Sequence, residues 1–275
     1  KGLNLKKLSA ENYQKNNLNN SITTNFTATA AGGGNNFPTK PTLTDPTNGN
    51  ITATNRTPIL RWTASTDADS DPIMYNVTLE CTGTCAPYAQ YIKANTTLLN
   101  FTINQSLQVD TVYKWNVTAD DFVGGSNTSA TFNFTVASLV SATLTNTRVD
   151  FGALAINVSA DTTANNPLPL RIRNDGNVYI DVNLTGDQSP WSTVALNNVN
   201  FQTKAGGGGT INSTTSLASF TNIASTTIRV IGQLNFSPDS AINTSAEIEL
   251  NITVPEAEPV GQKEANMTIT VAQTT

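Results

Sequence analysis

The stretch TVYKWNVTADDFVGGSNTSATFNFTV, residues 111–136, decides the fold class of this chain. Tyr113, Trp115 and Val117 occupy every second position, with polar residues between them. Strict alternation of this kind is typical of a strand with one buried face. A second alternating run, 129–136, follows a segment with two adjacent glycines, which is a turn signal. The stretch therefore predicts two antiparallel strands joined by a loop.

Similar short runs recur along the chain with turn signals between them. We predict strands at 41–45, 57–63, 73–80, 89–93, 97–103, 111–119 and 129–136, and then at 149–154, 168–174, 178–185, 194–203, 227–236, 246–254 and 265–272. Residues 174–177, Asn-Asp-Gly-Asn, predict a tight hairpin, because Asp-Gly tolerates the positive φ of such turns. The sequence thus predicts an all-β protein with antiparallel sandwiches at 39–137 and 138–275 and an extended N-terminal arm at 1–38.

The amino-acid composition favours β-strands, and the net charge argues against some classes of binding partner. Only 13% of residues are charged, and the polar share comes from 44 Thr, 35 Asn and 19 Ser. Threonine favours strands. The net charge of −5 argues against nucleic acid or an anionic membrane as a partner. No apolar run reaches the roughly 20 residues that span a bilayer, and the chain starts without an apolar leader, as expected after removal of a signal peptide.

Asn-x-Ser/Thr sequons are unusually frequent. The chain has 18, where its composition predicts about eight by chance. They begin at Asn19, Asn25, Asn50, Asn55, Asn76, Asn95, Asn100, Asn104, Asn116, Asn127, Asn133, Asn157, Asn183, Asn212, Asn235, Asn243, Asn251 and Asn266. One interpretation is that Asn-x-Thr merely suits the polar face of a strand. We favour N-glycosylation of an extracellular or cell-surface protein.

The two cysteines support the same location. Cys81 and Cys85 are separated by three residues directly after a predicted strand, which is enough for a turn. The chain has no histidine, so a zinc site lacks further soft ligands. We predict a local disulfide, which implies an oxidising compartment.

Catalytic arrangements are poorly supported. Without histidine there is no Ser-His-Asp triad. Glu247 and Glu249 share one strand face, as a catalytic pair would, but a solvated strand face is the simpler interpretation. We therefore expect that the protein is not an enzyme and requires no cofactor.

One acidic group suggests a metal. Asp67, Asp69 and Asp71 lie between the second and third predicted strands, and Asp120 and Asp121 lie between the sixth and seventh. In a sandwich of this type both loops emerge at the same end, and clustered carboxylates suit Ca²⁺. Asp is also a common turn residue, and the pattern departs from an EF-hand loop.

Two segments resemble known families. The segments PTNGN and RTPILRWTASTDADSDPIMYNVTLE, together with 111–136, resemble a fibronectin type III domain over about residues 39–137. Trp62 stands where that family keeps a core tryptophan, and Tyr113, six residues after Leu107, matches its tyrosine corner. The segment DFGALAINVSADTTANNPLPLRIRNDGNVYIDVNLTG resembles Ig-like domains of archaeal surface proteins. The resemblance implies a binding or spacer fold and does not by itself settle the function.

The arm carries an isolated strand pattern. In SITTNFTATA, residues 21–30, Ile22, Phe26, Ala28 and Ala30 share one face, and glycines at 32–34 follow. The strand pairs with its own first domain, stays unpaired, or completes a sheet in a neighbouring subunit.

These patterns favour an extracellular structural subunit of an archaeal-type surface filament or layer. Copies of the same chain would be its partners, through donation of the strand 21–30. The alternatives are an adhesin that binds through the loops around Asp69 and Asp120, and a secreted carbohydrate-active enzyme or its accessory domain.

Overall fold

The computed structural model describes residues 34–52, 55–83, 85, 90–206, 214–236 and 244–274, and for 90–94 only the backbone. The described residues form strands, turns and loops without a helix. Among them there is accordingly no helix long and apolar enough to cross a membrane. The prediction of an all-β fold is confirmed.

The first half of the described chain forms a sandwich of two sheets. Its strands are β1 (Leu43–Asp45), β2 (Asn50–Thr52), β3 (Ile59–Trp62), β4 (Met74–Cys81), β5 (Gln90–Thr96), β6 (Asn100–Thr102), β7 (Thr111–Asp120), β8 (Ser126–Thr128) and β9 (Phe132–Val136). One sheet has the order β1-β3-β6 and the other β2-β9-β7-β4-β5, with β8 beside β7. All pairs are antiparallel except β2 with β9.

The alternating residues that predicted β7 face the core of this first sandwich. Tyr113, Trp115 and Val117 are buried, and they pack with Trp62 and Leu107. The Tyr113 hydroxyl accepts a hydrogen bond of 2.9 Å from the backbone N–H of Gln108, so the ring is held at the start of its strand.

The second half forms another sandwich with its own core. Its strands are β10 (Ala142–Asn146), β11 (Ser159–Asp161), β12 (Leu170–Asn174), β13 (Ile180–Gly186), β14 (Phe201–Gly206), β15 (Thr221–Asn222), β16 (Ile228–Leu234), β17 (Ser245–Thr253) and β18 (Met267–Gln273). One sheet has the order β10-β12-β17-β14-β15, with β11 beside β17, and the other has the order β16-β13-β18. Apolar residues of β12, β13, β16 and β17 form the core between them.

Two strand predictions in the second sandwich are wrong. Residues 149–154 pair with no strand, because Asp150 accepts a hydrogen bond from the Gly152 N–H and Gly152 has φ +66°, which bends the chain. Residues 194–200 are irregular, and the strand begins only at Phe201. Asn197 there has φ +65°. Alternating apolar and polar residues therefore do not form a strand unless the segment also pairs with a neighbouring strand.

The predicted hairpin at 174–177 is also wrong. β12 and β13 flank this segment, but they belong to opposite sheets of the sandwich. The Asn174 side chain donates to the carbonyl oxygens of Val178 and Leu234. It also accepts a hydrogen bond from the Gly176 N–H. The segment is thus a crossing between the two sheets, stabilised by a buried asparagine.

Residues 35–275 form one compact unit, in which the two sandwiches meet at a junction. Arg56 of the first sandwich donates to the Leu107 carbonyl oxygen and to the Asn177 carbonyl oxygen, and its guanidinium lies 4.9 Å from the ring centre of Phe236. Val109 packs against both cores. These contacts define the junction end of each sandwich.

Candidate functional site

The loops between β3 and β4 and between β7 and β8 lie at the end of the first sandwich that is remote from the junction. β7 starts beside Val109 at the junction and runs to Asp120, so Asp121 and the residues after it lie at the opposite end. We call this the loop end. It carries all five aspartates of the predicted metal group.

The three aspartates of the first loop lie close together. One carboxylate oxygen from each of Asp67, Asp69 and Asp71 lies within 4.8 Å of the others. Asp67 Oδ1 accepts hydrogen bonds from the backbone N–H groups of Asp69 (2.8 Å) and Asp71 (3.4 Å). Its Oδ2 is buried without a hydrogen-bond partner among the described atoms. This group offers hard oxygen ligands.

Asp120 and Asp121 are not members of that group. Asp120 accepts a hydrogen bond from the Phe122 N–H, as turn-forming aspartates do. Asp121 is buried, and its Oδ1 accepts from the N–H groups of Val123 and Gly125, both at 2.8 Å. Burial raises the pKa of Asp121, but hydrogen bonds from Asn35 and from the loop backbone outweigh it, so the pKa is lowered. Asp121 therefore orders its own loop. Calcium binding at Asp67, Asp69 and Asp71 stays a prediction.

Sequence reasoning missed that the base of the arm is attached to both loops. Asn35 donates from its side chain to Asp121 Oδ2 at 2.8 Å. Asn36 donates to Asp69 from its backbone N–H at 2.6 Å and from its side chain at 3.0 Å. The backbone hydrogen bond is the main cause of the lowered pKa of Asp69. The arm therefore leaves the described fold at the loop end.

The loop end also exposes apolar side chains. Phe37 is 58% exposed, Phe122 60% and Val123 51%. Asn127 donates to the Pro38 carbonyl oxygen and holds the neighbouring backbone in place. The loop end thus combines carboxylates with an uncovered apolar surface.

Cys81 and Cys85 are joined by a disulfide, as their spacing predicted. Their Cα atoms are 6.3 Å apart, within the usual range. Cys81 is the last residue of β4, so the bridge closes the loop that follows this strand.

The sequon asparagines in the described part of the chain are exposed or half-buried. Fourteen of the 18 sequons have described asparagines, at Asn50, Asn55, Asn76, Asn95, Asn100, Asn104, Asn116, Asn127, Asn133, Asn157, Asn183, Asn235, Asn251 and Asn266. None of these side chains is buried. The two described asparagines that are buried, Asn174 and Asn177, are both 1% exposed and lack a Ser or Thr two residues later. Among the described residues, therefore, no sequon asparagine is buried.

Several predicted residues lie outside the described part of the chain. The strand 21–30, with Ile22, Phe26, Ala28 and Ala30, is among them, as are the sequons at Asn19, Asn25, Asn212 and Asn243.

An open cleft of about 430 Å³ lies on the outer face of the larger sheet of the first sandwich. It is lined by Thr78, Glu80, Lys114, Asn116, Thr131 and Asn133. Two of these residues, Asn116 and Asn133, begin sequons, so a glycan on either would occupy the cleft.

Two buried glutamates in the second sandwich were not predicted. Glu249 is 4% exposed and accepts a hydrogen bond from the Thr162 hydroxyl, so it does not lie on a solvated strand face. Glu258 accepts hydrogen bonds from the backbone and hydroxyl groups of Ser192 and Thr193 and pairs with Lys263. Both carboxylates are used to hold loops and strands together. The only sign of them in the sequence was that several glutamates lie close together near the C-terminal strands.

No protein-family model matches the chain, and no curated protein matches it.

Proposed function

We propose that the protein is an extracellular structural subunit of an archaeal-type cell-surface filament or layer. In this proposal the subunits are N-glycosylated and assemble with copies of themselves by donating the strand 21–30. Its two sandwiches serve as rigid spacers, of the fibronectin type III type at 39–137 and the Ig-like type at 138–275.

The observation that carries the proposal is where the arm is attached. Asn35 and Asn36 bind Asp121 and Asp69 at the loop end, and the second sandwich begins at the opposite end of the first. A donor strand at one end and a further domain at the other suit head-to-tail association, which forms open polymers when it does not close into a ring.

The distribution of sequons supports an extracellular location. None of the described sequon asparagines is buried, so burial excludes a glycan at none of those sites. The disulfide is consistent with the same oxidising setting.

The test is electron microscopy of the purified intact chain beside a variant that lacks residues 1–34. We expect filaments or sheets from the intact chain and monomers from the truncated one. A matched pair of full-length variants isolates the donor face. Phe26→Asp places a charge on the apolar face, and Thr29→Asp places the same charge on the polar face, and both keep the sequon at Asn25. We expect only Phe26→Asp to prevent assembly. Monomers from the unsubstituted intact chain would contradict the proposal.

An adhesin is the second candidate, favoured by the exposed Phe37 and Phe122 beside three clustered aspartates. Monomeric behaviour of the intact chain, together with Ca²⁺ or glycan binding that Asp69→Asn abolishes, would support it. Calorimetry with Ca²⁺ at millimolar concentration tests the metal directly, and no heat of binding would remove calcium from either candidate.

A further inference from the structure

One edge of the second sandwich is long, regular and unpaired among the described residues. β18 is the last strand in the order β16-β13-β18. It pairs with β13 over seven consecutive positions, from Met267 opposite Gly186 to Gln273 opposite Ile180, without a bulge. On its other side no described strand is hydrogen-bonded to it.

Free strand edges attract foreign strands, and proteins usually protect them by shortness, bulges, charges or a covering segment. The other terminal strands show such protection. β1, β2, β6 and β15 have three residues or fewer. β10 and β5 pair with register shifts, and β5 carries Lys93.

The opposite edge of the same three-stranded sheet is covered. Leu217 donates its N–H to the Val230 carbonyl oxygen, and Gly232 donates its N–H to the Ser216 hydroxyl. These contacts occupy the outer side of β16. β18 lacks a charged residue, a proline and a bulge.

The inner face of β18 is incompletely covered. Met267, Ile269 and Val271 pack against the second core but are only partly buried, whereas Ile180 and Val182 of the adjacent β13 are fully buried. Leu144 on β10, the terminal strand of the opposing sheet, is partly buried as well. Because β16 packs against β14 and β17, β18 lies on the side of β12 and β10. The two terminal strands therefore border an apolar seam.

The strand 21–30 has the pattern that such a seam requires. Its apolar residues, from Ile22 to Ala30, fall on one face, and its polar face is Thr and Asn. A strand added at a free edge gains main-chain hydrogen bonds, and its alternate side chains fill the groove between the sheets.

The strand cannot seat all four apolar residues on β18 of its own subunit. Asn35 is held at the loop end, and the ten residues of β7 span about 30 Å from there to the junction. The end of β18 nearest to the first sandwich is at the junction, where Thr274 donates its N–H to the Tyr179 carbonyl oxygen and Tyr179 packs on Phe236. Five residue steps join Ala30 to Asn35 and reach at most about 18 Å. A strand seated there must come from another molecule.

We infer that the edge of β18, with the seam formed by Met267, Ile269 and Val271, is the acceptor site for the strand 21–30 of a second copy. This inference rests on the proposed function, since it names the surface that receives the donated strand. It places the donor at the loop end of one subunit and the acceptor in the second sandwich of the next.

Cross-linking between two full-length variants tests it. One variant carries Thr27→Cys on the polar face of the arm strand, and the other carries Thr270→Cys at an exposed position of β18 and a mass tag. Each variant has one added cysteine, so a link between unlike chains is intermolecular by construction. Variants Asn25→Cys and Thr29→Cys cover neighbouring registers. A short bismaleimide reagent leaves the Cys81–Cys85 disulfide intact.

Matched controls place the acceptor cysteine elsewhere. Thr44→Cys lies at an exposed position of the terminal strand β1, and Thr97→Cys is exposed directly after β5. We expect a cross-linked product of unlike chains with Thr270→Cys and none with either control. Microscopy of each mixture reports whether polymers form.

The outcomes separate the two proposals. Polymers that cross-link through Thr44→Cys or Thr97→Cys, or through none of the three acceptor positions, would overturn the acceptor site and leave strand donation standing. Absence of polymers in the unsubstituted chain would overturn the proposed function, and the acceptor site with it.

Discussion

The buried side chain of Asn177 holds the linker between the two sandwiches in place. Asn177 accepts a hydrogen bond from the Leu139 N–H at 2.7 Å and donates to the Ala137 carbonyl oxygen at 2.8 Å, which ties the linker to the second sandwich. We expect Asn177→Ala to lower the free energy of unfolding by about 2–3 kcal/mol, because it leaves backbone groups without partners. Gln105→Ala, at an exposed position, is the control and should change the free energy of unfolding by less than about 0.5 kcal/mol. Urea denaturation measures both, and equal effects would contradict the assigned role.

Two buried glutamates, Glu249 and Glu258, should make the free energy of unfolding depend on pH in opposite directions. Burial raises the pKa of Glu258, but hydrogen bonds from Lys263, Ser192 and Thr193 outweigh it and hold the pKa far below its usual range. Its contribution to stability is therefore present above the unfolded pKa of about 4.3 and is lost as the pH falls below it. Burial raises the pKa of Glu249, so the free energy of unfolding declines as the pH rises from about 4.3 through that raised value.

Urea midpoints between about pH 3 and pH 8 test this pair. Glu258→Gln should destabilise the protein most near neutral pH, and the destabilisation should shrink as the pH falls from about 4.3 towards 3, because the carboxylate loses part of its contribution to stability over that range. Glu249→Gln should remove the cost of a buried charge near neutral pH and change little in acid. Stability curves that stay parallel to that of the unsubstituted protein would show that neither carboxylate is coupled to folding in this way.

At the scale of elements, the loop after β7 depends on a glycine. A Cβ atom at Gly125 would collide with the Asp121 carboxylate and lie 2.8 Å from the Asn35 side-chain nitrogen and 2.9 Å from the Phe37 ring. We expect Gly125→Ala to cost about 1–3 kcal/mol and to release the base of the arm. Gly34→Ala, which meets no atom within 4 Å, is the matched control. Faster proteolysis near Asn35 in Gly125→Ala alone would confirm this, and equal rates would refute it.

The strands themselves were largely predictable, and their pairing was not. The alternation around Trp115 predicted β7 to within one residue, because a period of two is a local property of the sequence. The same alternation in 149–154 gave no strand, because the chain bends at Gly152, which has φ +66°. The aspartates of the loop end were recognisable as a group, but their attachment to Asn35 and Asn36 was not, because the partners are more than 30 residues apart.

At the scale of the whole molecule, Arg56 links the sandwiches. It donates to Leu107 and Asn177 and stacks on Phe236. We expect Arg56→Ala to loosen the junction, so that limited proteolysis within 137–141 accelerates and the radius of gyration from X-ray scattering increases. Arg148→Ala is the control, because the Arg148 side chain is 78% exposed and its ion pair with Asp150 is 4.0 Å long. Identical cleavage of the two variants would contradict a linking role.

The sequence by itself determined the fold class, the disulfide and most core strands of this protein, because alternation, turn residues and cysteine spacing are local signals. Only the tertiary structure decided that β12 and β13 lie in opposite sheets, that the chain enters the described fold at the loop end, and that no described strand pairs with the outer side of β18. Each of these depends on which distant backbone groups find hydrogen-bond partners, and that is settled by the packing of whole sheets rather than by any single segment.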